Sequence, residues 1–223
     1  MIIKLSYNLS EQTPFYEGLA KPKLVPIFHF SKGDKWNSFY FTTSNHAGTH
    51  VDAPNHFCPK GRPITDYGID ELIFAKPAIL ELPLGEAELI TPDHLSGIHK
   101  LSRDSDALVI KSGFGQYRGL APKTYVDDGP GFSCAAAEYL LRELPQLRVL
   151  AVDFISITSA AYVEQGCEAH RVFLGCSGQT RRAILLVEDL FAPEDLVELK
   201  KLYVIPIFFD GLDSAACTVF GEL

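Results

Sequence analysis

The stretch His46-Ala-Gly-Thr-His50-Val-Asp52-Ala-Pro-Asn-His56 holds three of the seven histidines of this 223-residue chain. Its glycine and proline argue against a helix, so we expect extended backbone, in which side chains alternate between two faces. His46, His50, Asp52 and His56 then share one face, and Gly48 leaves space between them for an ion. Imidazole and carboxylate groups are typical ligands of zinc, manganese and iron. The segment therefore predicts a divalent metal site, with a hydrogen-bonded polar surface loop as the alternative.

A metal site of this kind needs ligands from elsewhere, because one short segment seldom completes the coordination. His170 is the best further imidazole in the chain. Glu188, at the end of an apolar run, is the best further carboxylate. Both lie more than a hundred residues away in sequence, so the prediction requires the fold to bring them to the 46–56 segment.

The composition excludes several classes of protein. A net charge of -8 offers no basic surface for nucleic acid. No apolar stretch approaches the roughly 18 residues of a membrane-spanning helix, and no signal-peptide pattern follows Lys4. The 5 cysteines are scattered and odd in number, so we expect reduced thiols in a cytoplasmic protein and an inert thiol at Cys58.

Apolar segments rich in Ile, Val and Phe predict many strands, and helices are fewer. Ser133 can cap a helix that ends before Pro145, and prolines at positions 92 and 193 can each begin another. We therefore expect one α/β domain over residues 1–223, with mixed β-sheets flanked by a few helices. The predicted strands cover residues 2–5, 24–30, 38–43, 78–82, 107–111, 149–154, 184–187 and 203–209.

The segment from His46 to Phe57 resembles the signature of the putative cyclase family, which includes bacterial kynurenine formamidases and isatin hydrolases. Weaker similarity extends over nearly the whole chain. Gly129-Pro-Gly-Phe132 is similar to a Pro-Gly turn of the family, and Val152-Asp-Phe-Ile-Ser-Ile157 to its Asp-x-x-Ser strand. The segments around His170 and Glu188 resemble its second metal-binding stretch and its late Glu strand.

The resemblance implies a fold of the swivelling β/β/α type, usually assembled as a dimer or tetramer. It implies metal ligation by His46, His50 and Asp52, with His170 and Glu188 completing the site for one or two ions, Zn or Mn. His56 would then be a catalytic acid/base and not a ligand. Two features depart from the family pattern: an extra segment at 177–182 lengthens the chain before Glu188, and Lys111-Ser-Gly replaces Arg-Thr-Gly.

The implied chemistry is hydrolysis of an amide or lactam C–N bond, with N-formylkynurenine as one candidate substrate. A bound ion would make hydroxide available near pH 7 and polarise the carbonyl. His56, four residues past Asp52, is close enough to exchange protons with the leaving nitrogen. Trp36 and Phe57 are candidates for recognising an aromatic substrate.

Two other functions remain open from the residues alone. His50, Asp52 and His170 also form the two-His-one-carboxylate set of non-haem iron oxygenases. The second alternative is a binding protein that kept the metal and lost catalysis. Asp153 is either a group that orients a ligand histidine or a buried strand-end carboxylate held by backbone donors, with even odds.

Overall fold

The computed structural model describes residues 1–16, 18–100 and 103–223. The strands in this part of the chain are β1 (Ile2–Lys4), β2 (Lys23–Phe28), β3 (Ser38–Thr42), β4 (His50–Asp52), β5 (Ile73–Phe74), β6 (Pro77–Glu81), β7 (Leu89–Ile90), β8 (Ala107–Lys111), β9 (Gly131–Phe132), β10 (Val149–Val152), β11 (Leu185–Glu188), β12 (Lys201–Pro206) and β13 (Ser214–Glu222). The α-helices are α1 (Tyr117–Leu120), α2 (Pro122–Asp127), α3 (Cys134–Glu143) and α4 (Val163–Phe173). None of the helices described is long and apolar enough to cross a membrane.

Nine strands form one mixed sheet, in the order β5-β12-β13-β4-β11-β10-β8-β6, with β1 pairing beside β13. Strands β6, β8, β10 and β11 are parallel to one another. Strands β4, β13, β12 and β5 continue the sheet in antiparallel pairs. The predicted α/β class with mixed sheets and few helices is confirmed.

The central strands are buried on both faces, which is why their sequences are apolar throughout. In β10, Leu150 and Val152 face the core that contains α3 and α4, whereas Val149 and Ala151 face the core under β12 and β13. Strand side chains alternate between faces, so each apolar run supplies both cores. The polar residues at the ends of these strands are left to form the site.

The predicted helix after Ser133 is confirmed as α3, and the Ser133 hydroxyl accepts a hydrogen bond from the backbone N–H of Ala136 at 3.1 Å. The two helices predicted at prolines 92 and 193 are wrong, since both segments form turns. At the first, Gly97 has a left-handed φ of 89° five residues after the proline and ends the turn. At the second, the chain leaves the turn, and the N–H of Lys200 donates to the carbonyl of Glu222.

The expectation of reduced cysteines is wrong for one pair. Cys58 and Cys176 form a disulfide, with their Cα atoms 5.5 Å apart and a separation of 118 positions in sequence. The fold packs the turn after His56 against the end of α4, and this proximity could not be read from two distant cysteines. The other three cysteines, at 134, 167 and 217, are free.

Candidate metal centre

Strand β4 places the site in the middle of the sheet. It lies between β11 and β13, and its register sets His50 opposite Glu188 and Asp52 opposite Ser214. Both His50 and Asp52 are buried. Glu188, which the long spacing from His170 made hard to place, thus becomes a direct cross-strand neighbour of a predicted ligand.

Extended backbone in the 46–56 segment covers β4 and Ala53 but neither His46 nor His56, so strand alternation does not bring the four side chains together as predicted. His46 lies in a turn before the strand, and His56 ends a 3-10 helix, Pro54–His56. The role predicted for Gly48, leaving room beside the ligands, stays a prediction, and a second constraint requires a glycine at this position. Its φ of 71° is left-handed, and a Cβ there would meet the Leu9 side chain at 2.6 Å, so the turn and the packing require the glycine.

Asp52 lies at the centre of three imidazoles. Its carboxylate is 3.1 Å from Nδ1 of His46, 3.5 Å from Nε2 of His50 and 3.8 Å from Nε2 of His170. Glu188 lies 3.4 Å from Nε2 of both His50 and His170. The structure therefore brings together all five residues predicted as ligands.

The far side of each buried ring is held by the backbone. Nδ1 of His50 donates to the carbonyl of Gly48 at 2.8 Å, and Nδ1 of His170 donates to the carbonyl of Gly166 at 3.0 Å. Such bonds fix the tautomer and aim the opposite nitrogen, Nε2, into the site. One oxygen of Glu188 accepts from Ser156 and from the Ile157 N–H, both at 2.8 Å, which orients that carboxylate as well.

Three buried polar atoms at the centre have no hydrogen-bond partner among the described residues: Nε2 of His50 and both carboxylate oxygens of Asp52. Buried polar atoms are normally paired, because leaving one unpaired costs about 1–3 kcal/mol. A divalent cation coordinated by these atoms would satisfy them. In the part of the chain that the structure describes, two groups have ligand atoms within 4.8 Å of one another: His46, Asp52 and His56, and His50, Asp52 and Glu188.

Opposite charges shift the pKa values of these groups. Burial opposes protonation of His46, but its hydrogen bond to Asp213 and the nearby negative charges of Asp52 and Asp213 outweigh burial and raise its pKa to about 10. The pKa values of His50 and His170 are likewise raised against the effect of burial, by Asp52 and Glu188. Burial alone would raise the pKa values of Asp52 and Glu188, but the histidines lower both.

Asp213 is a site residue that the sequence analysis missed. It lies just before β13, and its Oδ2 is 2.8 Å from Nδ1 of His56 and 3.2 Å from Nε2 of His46. These two hydrogen bonds hold the pKa of Asp213 well below its usual range, against the effect of burial. Asp213 lies 161 positions after Asp52, and no motif around it in the sequence marks it as a site residue. The pairing of β13 with β4 places it beside His46 and His56.

The residue after Glu188 is held in a strained conformation. Asp189 has a φ of 52°, in the left-handed region that is costly for residues other than glycine. Its carboxylate is bound by Arg118 in two hydrogen bonds of 2.7 and 2.9 Å and by the hydroxyl of Tyr125 at 2.6 Å. Its carbonyl accepts from Thr49 at 2.6 Å, which ties the end of β11 to the loop before β4.

A cavity of about 400 Å³ opens onto the histidines. Its floor includes His46, His50, His56, His170 and Glu188, and its walls are largely apolar, with Phe15, Tyr16, Leu19, Phe57, Ile155 and Val163. Phe57 lines this cavity, and its role in recognising a substrate stays a prediction. Trp36 does not line this cavity; it is exposed on the β2–β3 hairpin, against Phe28.

The contacts of Asp153 and Lys111 show the structural role of each residue. Asp153 accepts hydrogen bonds from the hydroxyl and N–H of Ser112 and the N–H of Gly113, so it is a strand-end carboxylate that anchors the loop after β8. Lys111 bonds Glu81 and the carbonyls of Glu194 and Leu196, and it is not among the residues lining the cavity.

The sequence model of the cyclase family, described as "Putative cyclase", matches residues 3–159, more than half of the chain. The chain belongs to this family. The match includes the whole 46–56 segment and ends before His170, Glu188 and Asp213.

Similar proteins agree with this assignment. The kynurenine formamidase of Geobacillus thermodenitrificans is 30% identical over 129 residues, which are 56% of this chain and 58% of that protein. Isatin hydrolase A from Labrenzia aggregata has the same fold, with a TM-score of 0.80 at 18% identity, covering 99% of this chain and 93% of that one. A predicted metal-dependent hydrolase from Bacillus stearothermophilus superposes with a TM-score of 0.74 at 18% identity, covering 99% and 97%.

Proposed function

We propose that this protein is a metal-dependent hydrolase that cleaves an amide-type C–N bond. The observation that carries the proposal is the set of unpaired buried atoms on His50 and Asp52, enclosed by further imidazoles and a carboxylate. Such a set is stable in a folded protein when a cation completes it. Membership of the cyclase family and the metal-dependent relatives support the same conclusion.

His46, His50, Asp52, His170 and Glu188 would hold the metal, with Zn²⁺ or Mn²⁺ the ions best suited to imidazole and carboxylate ligands. When bound, the ion supplies Lewis-acid chemistry, polarising a carbonyl and lowering the pKa of a water molecule. The backbone carbonyls at Gly48 and Gly166 keep Nε2 of His50 and His170 directed at it.

His56 would move the proton. Asp213 bonds Nδ1 of His56, so Nε2 is left to take a proton from the attacking water and pass it to the leaving nitrogen. His56 also lies within ligand distance of His46 and Asp52. Its role as an acid/base, and not a ligand, therefore has to be tested directly.

The substrate would be a small amide with an aromatic or other apolar group. The walls of the cavity support this, since Phe15, Phe57, Ile155 and Val163 can cover a ring while the amide faces the histidines. N-formylkynurenine, as for an arylformamidase of tryptophan catabolism, and cyclic amides such as isatin are the two candidates. Hydrolysis of either places the scissile carbonyl at the histidine floor.

We further propose that the protein is a cytoplasmic homo-oligomer, most simply a homodimer. The exposed apolar side chains of the β2–β3 hairpin support an assembly, because such surfaces are normally covered by another chain. Family resemblance favours a second copy of this chain as the partner.

The function is tested by metal analysis of the purified protein and a screen of formamides, isatin and cyclic imides. His50→Ala should lose the metal and the activity together. His56→Ala should keep the metal while turnover falls about 10²–10⁴-fold, the usual contribution of a positioned acid/base. His94→Ala is the matched control, because among the described residues the His94 ring bonds Thr91 and Glu88, away from the site.

Three results would contradict the proposal. Full metal content in His50→Ala would make the ligand assignment wrong. Loss of metal from His56→Ala would make that residue a ligand. Oxygen uptake dependent on Fe²⁺, with no amide hydrolysis, would identify an oxygenase instead.

A further inference from the structure

The Cys58–Cys176 disulfide joins the two segments that carry site residues from distant parts of the chain. Cys58 lies two residues after His56, and Cys176 lies three residues after the end of α4, the helix that carries His170. The N–H of Cys176 donates to the carbonyl of Arg171 in that helix at 2.8 Å. The bond therefore fastens the end of α4 to the turn that carries His56.

Between these two segments, Phe57 packs flat on His170. The two rings are 4.7 Å apart with an angle of 18° between their planes, and the His56 ring meets Phe57 edge-on at 4.7 Å. Phe57 is the residue directly before Cys58. A disulfide at Cys58 thus restrains the Phe57 ring, which covers the proposed metal ligand His170. With free thiols, only packing contacts would hold the two rings together.

The disulfide is also accessible. Both cysteines are partly exposed, and they line a second cavity, of about 510 Å³, which is separate from the one over the histidines. Lys60 and Arg181 line the same cavity. Cationic side chains favour thiolates and so assist thiol–disulfide exchange with an incoming reductant.

We propose that Cys58 and Cys176 form a reversible redox site that controls how firmly His170 is held in the metal centre. In a cytoplasmic protein, a disulfide is usually transient or redox-sensing and not a permanent structural bond. The effect on the metal and the cytoplasmic location rest on the proposed function; the disulfide and its accessibility do not.

The chemistry is a two-electron exchange. A thiolate of a dithiol reductant attacks one sulfur and forms a mixed disulfide, and the other cysteine leaves as a thiolate and takes up a proton. The second thiol of the reductant then resolves the mixed disulfide. The products are two cysteine thiols and the oxidised reductant, so electrons and protons balance.

The first test is peptide mapping of the full chain, oxidised in air and alkylated without reduction. A linked peptide containing Cys58 and Cys176 is expected, which disappears after treatment of the native protein with a small dithiol protein such as a thioredoxin. The melting temperature should fall by about 5–15 °C on reduction. Absence of the linked peptide, or its survival under native reducing conditions, would overturn the proposal.

The second test measures release of Zn²⁺ from the zinc-loaded protein to a chromogenic chelator. A phosphine serves as reductant because it brings no thiol; it reduces the bond to two thiols and takes an oxygen from water. Release should become about tenfold faster on reduction, in line with the usual effect of losing an outer partner of a ligand histidine. An unchanged rate would overturn the link to the metal site.

Matched variants separate the pair from the other thiols. Cys58→Ser/Cys176→Ser should release zinc at the fast rate with or without reductant. Cys134→Ser removes a free, partly exposed cysteine and should respond as the parent protein does. If no amide is hydrolysed in either redox state, the proposed function fails while the mapping and melting results still decide the redox site.

Discussion

Asp213 shows how much a single carboxylate contributes at the residue scale. Besides His46 and His56, it accepts a hydrogen bond from the side-chain amide of Asn45 at 2.8 Å. Apart from the hydroxyl of the adjacent Ser214, the side-chain donors described for Asp213 lie in the 45–56 segment, so Asp213 holds this segment against the start of β13. The orientation of the proposed acid/base depends on that arrangement.

We predict that Asp213→Asn lowers kcat by about 10–100-fold, the usual cost of removing a partner that orients a site histidine. Asparagine keeps the size of the side chain but loses the charge and presents an NH₂ group to rings that donate. KM should change less than kcat, because Asp213 does not line the substrate cavity. Asp210→Asn, an exposed acid in the same loop, is the control. Wild-type kinetics in Asp213→Asn would exclude the positioning role.

The raised histidine pKa values predict how metal binding depends on pH. In the metal-free protein the hydrogen bond to Asp213 and the charges of Asp213 and Asp52 raise the pKa of His46 to about 10, so this ring carries a proton at pH 7, and the pKa of His50 is raised as well. A metal binds only neutral imidazole, so protons must leave as it binds. The apparent Kd should therefore rise as the pH falls from 8 to 6, by about tenfold per pH unit for each proton displaced.

Calorimetry in two buffers of different protonation enthalpy measures the number of protons released. A value near zero at pH 7, together with a Kd that does not change with pH, would contradict the protonated state of the metal-free site. The acidic ligands do not alter the sign, because the pKa values of Asp52 and Glu188 are lowered and both are already ionised across this range.

At the scale of elements, the sequence predicted helix α3 but not α4. Helix α3 has a serine cap and an apolar repeat. In α4 the buried positions recur at helical spacing, but they include Gly166 and His170, which an apolar pattern does not count. Gly166 is required because a Cβ there would meet the Thr158 backbone at 2.5 Å. The residues that the site requires, Gly166 and His170, therefore interrupt the apolar repeat by which a helix is recognised in the sequence.

Arg182 gives the extra segment at 177–182 a structural role. Its guanidinium donates to the carbonyls of Leu141 and Leu144, both at 3.0 Å, and to that of Leu147. Carbonyls at the end of a helix have no partner within the helix, and here the arginine supplies one. The segment that lengthens the chain before Glu188 thus closes the end of α3.

We predict that Arg182→Ala lowers the free energy of unfolding by about 1–3 kcal/mol, because partly buried carbonyls are left without donors. Urea denaturation of the metal-loaded protein measures the change. The control is Arg142→Ala, on α3 itself, which removes an exposed pairing with Glu143 and should cost less than about 0.5 kcal/mol. Equal stability of the two variants would exclude the capping role.

At the scale of the whole molecule, the sequence predicted the class of fold and the five residues that lie together at the site. It did not predict the strand order that brings those residues together. Apolar runs indicate strands without giving their order. The site depends on β4 lying between β11 and β13, which places Glu188 beside His50 and Asp213 beside His56. Such pairings join residues more than a hundred positions apart, so the pattern of apolar residues within one segment does not predict them.

The hairpin of β2 and β3 is the most exposed apolar part of the molecule. Val25 and Tyr40 face each other across it, as do Leu24 and Phe41, and all four are about half exposed. These two pairs lie on opposite faces, so the hairpin is exposed on both sides. An isolated two-stranded hairpin is marginally stable in water, and one with apolar side chains on both faces needs a partner to cover it.

We predict that this hairpin is the contact between copies of the chain, and that Tyr40→Asp converts the homo-oligomer into a monomer. An aspartate in an apolar interface loses its hydration without gaining a partner, which disfavours association and leaves the free hairpin more soluble. Light scattering coupled to size-exclusion chromatography measures the mass, and circular dichroism verifies that the variant remains folded. Leu120→Asp, at an exposed leucine of α1, is the matched control and should keep the parent mass. A parent protein that is already monomeric at micromolar concentration, or a Tyr40→Asp variant that stays associated, would place the contact elsewhere or exclude it.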